Sequence, residues 1–375
     1  MAQEGIALVM FEDTEGRRDA NIRWLTGQPG DALLFLSLVP QPNSKGAEPE
    51  LRGSPLARKS LLVPWDILMA KAYARADAIV PYNEFDRKPI EAIKGAVERL
   101  NIPLGSKIEI PPVTPYPAFL DFVAELQDFD IICRDRSTMD HARDLRTIKD
   151  AEEIEIYRKA AVITNKIIDL LEKKTKAGKI KTETDAVMLI ELESRKQGCD
   201  GAAFEILAAG QDRSFGIHAF PAWTDAPFGG QGLSILDFGV RYHGYNTDVT
   251  LTFVREPNPQ QLKMVNLVEK AYKLAVDSLS ARNDTLFTSL LVDECFSKSR
   301  KRMVHGLGHG IGLDVHEYPF LRSRNEITWD LEPGMIFTIE PGLYDPLHGG
   351  CRLENDFLIT DGGFEILTNA HIIWL

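Results

Sequence analysis

The chain has 375 residues, 44% hydrophobic and 26% charged, with 55 acidic against 43 basic side chains and a formal net charge of −12. Those proportions belong to a folded globular protein and exclude a disordered, collagen-like or coiled-coil one. The negative balance is the wrong sign for gripping phosphate backbones, so no nucleic-acid partner is expected.

Acidic residues Glu4, Glu12, Asp13 and Glu15 flank an apolar run of only six residues, Ile6 to Phe11, which does not fit a signal peptide. No apolar stretch approaches the roughly 18 residues of a membrane span, so no membrane partner is expected. Cys133, Cys199, Cys295 and Cys351 are scattered without a CxxC pair, which fits reduced thiols in a cytoplasmic protein.

Gly5 to Phe11, Ala32 to Leu36, Leu61 to Val63 and Ile131–Ile132 read as strands, and Arg87 to Leu100 as an amphipathic helix. Gln41 to Pro55 reads as a surface loop. Together these predict a small α/β domain over residues 1–140. The charge-dense, aperiodic stretch Arg134 to Lys149 is the expected boundary, with a second domain over 141–375. There, Asp150 with Glu153 and Thr182 with Asp185 mark two helix starts, and a third helix runs from Pro259 to about Ser280. Period-two patterns at Leu233–Asp237, Thr247–Val254, Met335–Glu340 and Arg352–Thr360 add antiparallel strands, giving an α+β fold class.

Two of these strands, joined by a turn containing Gly244 and Asn246, predict a hairpin. Alternation puts Val249, Leu251 and Phe253 on the face opposite Asp248, so Asp237 and Asp248 share a face. Two carboxylates among apolar neighbours need a compensating charge. Further on, His305, His309 and His316 fall within the run HGLGHGIGLDVHE, whose glycines let the backbone pass close to a ligand site. The run is neither G-x-G-x-x-G nor H-E-x-x-H. Glu340 and Glu354 each interrupt an apolar strand pattern.

Four carboxylates and one imidazole form a hard, oxygen-rich donor set suited to Mn²⁺, with Co²⁺, Fe²⁺ or Zn²⁺ as further fits. Four negative charges exceed what one divalent ion neutralises, so two ions are expected. Such a pair activates a water and stabilises the oxyanion formed when it attacks an amide. Neither a G-x-S-x-G elbow nor a cysteine with an adjacent histidine offers a covalent route.

From about Arg146 to Ile359, the eleven-residue step from Asp237 to Asp248, GLGHGIGLDVHE, IEPG and R-x-E resemble the pita-bread metallopeptidases, the group of methionine aminopeptidase, prolidase and aminopeptidase P. The first 140 residues, Asn21 to Gly27 above all, resemble their creatinase-type N-terminal domain. The resemblance implies that Asp237 chelates one ion, Asp248 and Glu354 bridge, and His309 and Glu340 complete the second site, Glu340 also handling a proton. It implies a carbonyl contact for His316, substrate binding for His218, a place beside the proline ring for His305, and support of Glu354 by Arg352. His141, His243, His348 and His371 match nothing and are expected to be structural.

The implied activity is removal of an N-terminal residue preceding proline from a dipeptide or short peptide, by a homodimer. Prolidases often carry an arginine right after H-E-aromatic-Pro; here Phe320 stands there and Arg322 is the nearest candidate. Residues 281–302 match the family poorly. Methionine aminopeptidase, hydrolysis of another small amide, and a metal-free binding protein on the same fold are the alternatives.

Overall fold

An unbroken apolar run cannot offer a strand one wet face, and Ile6–Phe11, the first six residues of strand β1 (Ile6–Asp13), is accordingly buried throughout. The computed structural model describes residues 1, 4–40, 56–280, 283–324 and 328–375. The expected loop Gln41–Pro55 lies outside the described residues, as do residues 281–282. The chain divides into two compact units, Met1–Leu145 and Arg146–Leu375.

In the first unit, β1 is central, pairing antiparallel with β2 (Ala32–Pro40), which pairs antiparallel with β3 (Leu56–Pro64), beside the short β4 (Ala78–Ile79). On its other edge β1 runs parallel to β5 (Lys107–Glu109), which runs parallel to β6 (Asp130–Ile132). Helices α1 (Ala20–Thr26), α2 (Ile67–Tyr73), α3 (Pro89–Arg99), α4 (Tyr116–Glu125) and α5 (Thr138–Arg146) complete it. Two buried clusters, one around Leu8, Phe35 and Ile93 and one around Val9, Leu34 and Ile22, fill this unit. Helix α5 corrects the expectation of an aperiodic stretch at Arg134–Lys149. Only Met139 and Ala142, three residues apart, carry its apolar contact, and that short stripe is hidden among charges.

The second unit opens with two helices whose starts are set by reciprocal side-chain and backbone bonds. Asp150 accepts from Glu153 at the head of α6 (Ala151–Lys176), and Thr182 from Asp185 at the head of α7 (Glu183–Lys196). After β7 (Gly201–Ala202) and β8 (Leu207–Ala209) comes the expected hairpin of β9 (Gly232–Phe238) and β12 (Val249–Arg255). Its tip is a smaller ribbon, β10 (Val240–Tyr242) and β11 (Tyr245–Asn246), whose turn places His243 and Gly244 at positive φ. Val249, Leu251 and Phe253 face the main core, packed with Ile167, Leu171 and Val268 from α6 and from α8 (Pro259–Asp277). Helix α9 (Thr285–Lys298), capped by Asp284, occupies most of the segment that resembles the family poorly.

A five-stranded sheet follows in the order β14 (Glu317–Leu321), β13 (Gly308–Gly310), β15 (Ile336–Ile339), β18 (Asn355–Thr360), β19 (Gly363–Ile366). Strands β16 (Gly342–Asp345) and β17 (Gly349–Arg352) form a hairpin, and β20 (Ile373–Trp374) lies along β12. A bridge between Thr250 and Glu354 joins the β9–β12 sheet to this second one. The expected single strand Arg352–Thr360 is therefore two. Arg352 ends β17, Asn355 begins β18, and Glu354 sits in the break.

Candidate metal centre

Aspartate and glutamate fit poorly in strand interiors, and the structure puts three of the four candidate carboxylates at strand ends. Asp248 precedes β12, Glu340 follows β15 and Glu354 precedes β18; only Asp237 lies within a strand, opposite Thr250. This corrects the expectation that Glu340 and Glu354 lie inside strands. His309 is the middle residue of β13, between Gly308 and Gly310. A Cβ on Gly308 would stand 1.9 Å from the Thr338 carbonyl oxygen, and one on Gly310 2.0 Å from that of Tyr318. These glycines thus let β13 press against its two neighbours, whereas close approach to a ligand had been expected.

His218, Asp237, Asp248, His305, His309, His316, Glu340, Arg352 and Glu354 all line one cavity of about 500 Å³. Ligand atoms of Asp248, His309 and Glu354 lie within 4.8 Å of one another. His309 Nε2 is 3.7 Å from Asp248 Oδ2 and 3.8 Å from Glu340 Oε1. Its Nδ1 is 3.1 Å from the Gly310 carbonyl, and donating there leaves the Nε2 lone pair facing the carboxylates. Glu354 Oε2 accepts from the Thr250 hydroxyl at 2.7 Å. The backbone N–H of Asp248 donates to Asp356, another buried carboxyl, at 3.2 Å.

Burial and mutual repulsion dominate the electrostatics. Burial first, then Glu354 and Asp237, hold the Asp248 carboxyl well above the usual range; burial and Glu354 do the same for Glu340. Glu354 is pushed up to about 8 by burial and Asp237. Burial lowers His309 to about 3 and His305 to about 4, and lowers His316 as well, so these imidazoles are neutral at physiological pH. Burial opposes the charge on Arg352, but Tyr344, Asp237, Glu354 and Glu340 more than offset it.

Arg352 ties the cavity together. Its guanidinium donates to Asp237 Oδ2 and to the Tyr344 hydroxyl at 2.6 Å each, to the Thr250 hydroxyl at 2.9 Å and to the Ile217 carbonyl at 3.2 Å. It therefore supports Asp237 directly and Glu354 through Thr250. His305 Nε2 and the Tyr344 hydroxyl are 3.0 Å apart, while the His309 and His316 rings meet with centroids 4.2 Å apart. Sequence reasoning missed Tyr344, for which no pattern exists. It also missed Thr250, which alternation from Asp248 places on the same face. Arg322 also lines the cavity, its guanidinium over the Phe320 ring.

His141, His243, His348 and His371 lie outside this lining. The loop carrying His316 is pinned from behind. Glu317, buried, accepts from Arg146 at 2.5 Å and Lys149 at 2.8 Å, and Asn246 donates to the carbonyls of Gly312 and Leu313 at 2.9 Å each.

The donor set fits divalent cations. Among the described residues Asp237 Oδ1 is a buried acceptor without a hydrogen-bond donor, and a bare cluster of four carboxyl groups ionises only with compensating positive charge. The residues that would hold the ions are Asp237, Asp248, His309, Glu340 and Glu354.

A model of metallopeptidase family M24 matches residues 155–361. The Xaa-Pro dipeptidase of Pyrococcus horikoshii is 30% identical over 308 residues, 79% of this chain and 81% of that protein. That of Pyrococcus furiosus is 34% identical over 237 residues, 62% of this chain and 66% of that protein. Among solved structures, the prolidase from Pyrococcus furiosus superposes with a TM-score of 0.77 at 26% identity, covering 99% of this chain and 98% of that one. The X-Pro aminopeptidase from Thermotoga maritima gives 0.80 at 23% identity, covering 100% and 97%. The expected fold stands: α+β, a pita-bread unit preceded by a smaller α/β creatinase-type unit. Among the described residues no helix is long and apolar enough to cross a membrane.

Proposed function

Because the chain belongs to metallopeptidase family M24, we propose that it hydrolyses the bond between an N-terminal residue and proline, using two divalent ions held by Asp237, Asp248, His309, Glu340 and Glu354. That it is a metallopeptidase follows from the family; the ion count, the ligand roles and the proline specificity are the proposal. The observation that carries it is the convergence of all five ligand candidates, with Asp237 Oδ1 left without a donor among the described residues, in one cavity beside His305 and His316, two further imidazoles whose burial disfavours the charged form. Mn²⁺ is the proposed metal, and a cytoplasmic homodimer the proposed working form.

Bound ions would supply an activated water and positive charge opposite the developing oxyanion. The chain supplies the rest. His316 and His218 orient the scissile carbonyl and donate to it as charge develops. Glu340 takes the attacking water's proton and returns it to the leaving nitrogen. His305, fixed by Tyr344, borders the proline ring, and Phe204, Leu207 and Ala222 give the cavity an apolar wall. Proline suits such a wall because its nitrogen, lacking a hydrogen, needs no acceptor there.

Arg322 on the lining favours a dipeptide, whose C-terminal carboxylate lies near the scissile bond and needs a cation. The second reading, an aminopeptidase acting on longer chains, leaves Arg322 without that role. A panel of Gly-Pro, Xaa-Pro-Xaa and Met-Ala-Ser peptides tests both. Cleavage of Gly-Pro in preference to the longer proline substrate is the expected result. Cleavage of Met-Ala-Ser alone contradicts the proline specificity.

A further inference from the structure

A second cavity, of about 470 Å³, lies between α8, the end of α9 and the β16–β17 hairpin. Lys263, Leu267 and Lys270 share one face of α8 at the helical spacing i, i+4, i+7 and meet Lys301 and His348 across the opening. The remaining polar wall is amide and hydroxyl, and among the described residues no carboxylate lines it. Every polar side chain there can donate a hydrogen bond, a selection for an anion.

The charge is only partly answered from within. Lys301 Nζ is 3.8 Å from Asp345 Oδ2, while among the described residues neither Lys263 nor Lys270 forms an ion pair. Among the described residues His348 Nδ1 is buried with no hydrogen-bond partner, although its turn is fixed: Gln261 donates to the His348 carbonyl at 3.0 Å, and Leu347 N–H to Asp345 at 2.9 Å. Three cations gathered in a concavity on a chain of net charge −12 are the reverse of its general surface.

We propose that this cavity binds a small phosphate monoester, its phosphate among the three lysines and its organic part on Leu267 and Leu343. The volume falls within the usual range for small-molecule sites, roughly 300–1,000 Å³. A phosphate carrying about −1.5 to −2 charges answers three cations better than a single carboxylate does. The site is also coupled to the catalytic cavity. Leu343 and Tyr344 are consecutive on β16 and project to opposite faces. Leu343 forms part of this wall, and Tyr344 bonds His305 and Arg352.

Calorimetry with phenyl phosphate on the Mn²⁺-loaded protein tests the site, with inorganic phosphate as the comparison probe. Phenyl phosphate is expected to bind once per chain, at least tenfold more tightly than inorganic phosphate. Lys263→Glu/Lys270→Glu is expected to weaken it at least tenfold while Gly-Pro cleavage without the probe stays within twofold. Undiminished affinity in that variant puts the phosphate elsewhere and overturns the proposal. Saturating phenyl phosphate is expected to change kcat or KM for Gly-Pro at least twofold in the parent protein and not in the variant. Binding without any such change overturns the coupling. Only the Gly-Pro readouts rest on the Xaa-Pro reading; the calorimetry needs no turnover, so failure of the site and failure of that reading are distinguishable.

Discussion

One guanidinium nitrogen of Arg352 lies 2.6 Å from Asp237 Oδ2, and the other oxygen of that carboxylate is left buried without a donor. The arginine thus occupies one oxygen of the carboxylate and leaves the other free for a further partner. Lysine carries the charge but not the planar fork that also reaches Thr250 and Tyr344.

Arg352→Lys is therefore expected to lower metal affinity or kcat about 10- to 100-fold, the usual cost of losing a supporting bond around a metal ligand. Metal titration followed by steady-state kinetics checks it, and parent-like values would contradict the role.

Metal uptake is expected to release protons. Glu354 is raised from its ordinary 4.5 to about 8, and Asp248 and Glu340 are also raised, so the metal-free site is protonated at pH 7. A raised carboxyl stabilises the metal-free fold below its unfolded value, and that contribution is lost as pH climbs from about 4.5 to about 8. Calorimetry of Mn²⁺ binding in buffers of different ionisation enthalpy is expected to show about one or more protons leaving per chain at pH 7. Added Mn²⁺ is expected to raise Tm more at pH 8 than at pH 5.5.

Gly310→Ala sets a methyl against the Tyr318 carbonyl, where its Cβ would stand 2.0 Å away. A loss of about 1–3 kcal/mol or more is expected from this overpacking. Chemical denaturation of the metal-free protein measures it separately from metal binding.

Lys149→Met removes one of the two cations on the buried Glu317 carboxylate. Stripping a partner from such a cluster typically costs about 3–5 kcal/mol. A fall of several degrees in Tm is expected, together with lower kcat because the adjoining residue is His316. A variant of parental Tm would show that Arg146 alone satisfies Glu317.

Arg322→Ala is expected to raise KM for Gly-Pro about tenfold or more while leaving that for Xaa-Pro-Xaa nearly unchanged, since in the proposed dipeptide reading only the dipeptide presents its carboxylate there. Equal effects on both would remove the basis for preferring a dipeptide.

Much of the site was legible because its residues break local rules. Asp237 interrupts a strand, Asp248, Glu340 and Glu354 stand against apolar runs, and three histidines crowd a glycine-rich segment. Alternation set Val249, Leu251 and Phe253 on the face opposite Asp248, and these three pack into the main core. Contacts distant in sequence were not legible: Tyr344 meets His305 39 residues away, and Lys149 meets Glu317 168 residues away. Helix α5 was hidden because only two of its side chains bury apolar surface, and the break at Glu354 because strand periodicity continues on both sides of it.

Titrating Mn²⁺ into chelator-treated protein while following Gly-Pro hydrolysis decides whether two ions at this centre drive cleavage before proline. Activity absent without metal and rising to a plateau at about two equivalents per chain is the predicted result. A plateau at one equivalent, or no cleavage of any proline bond with both equivalents bound, would contradict it.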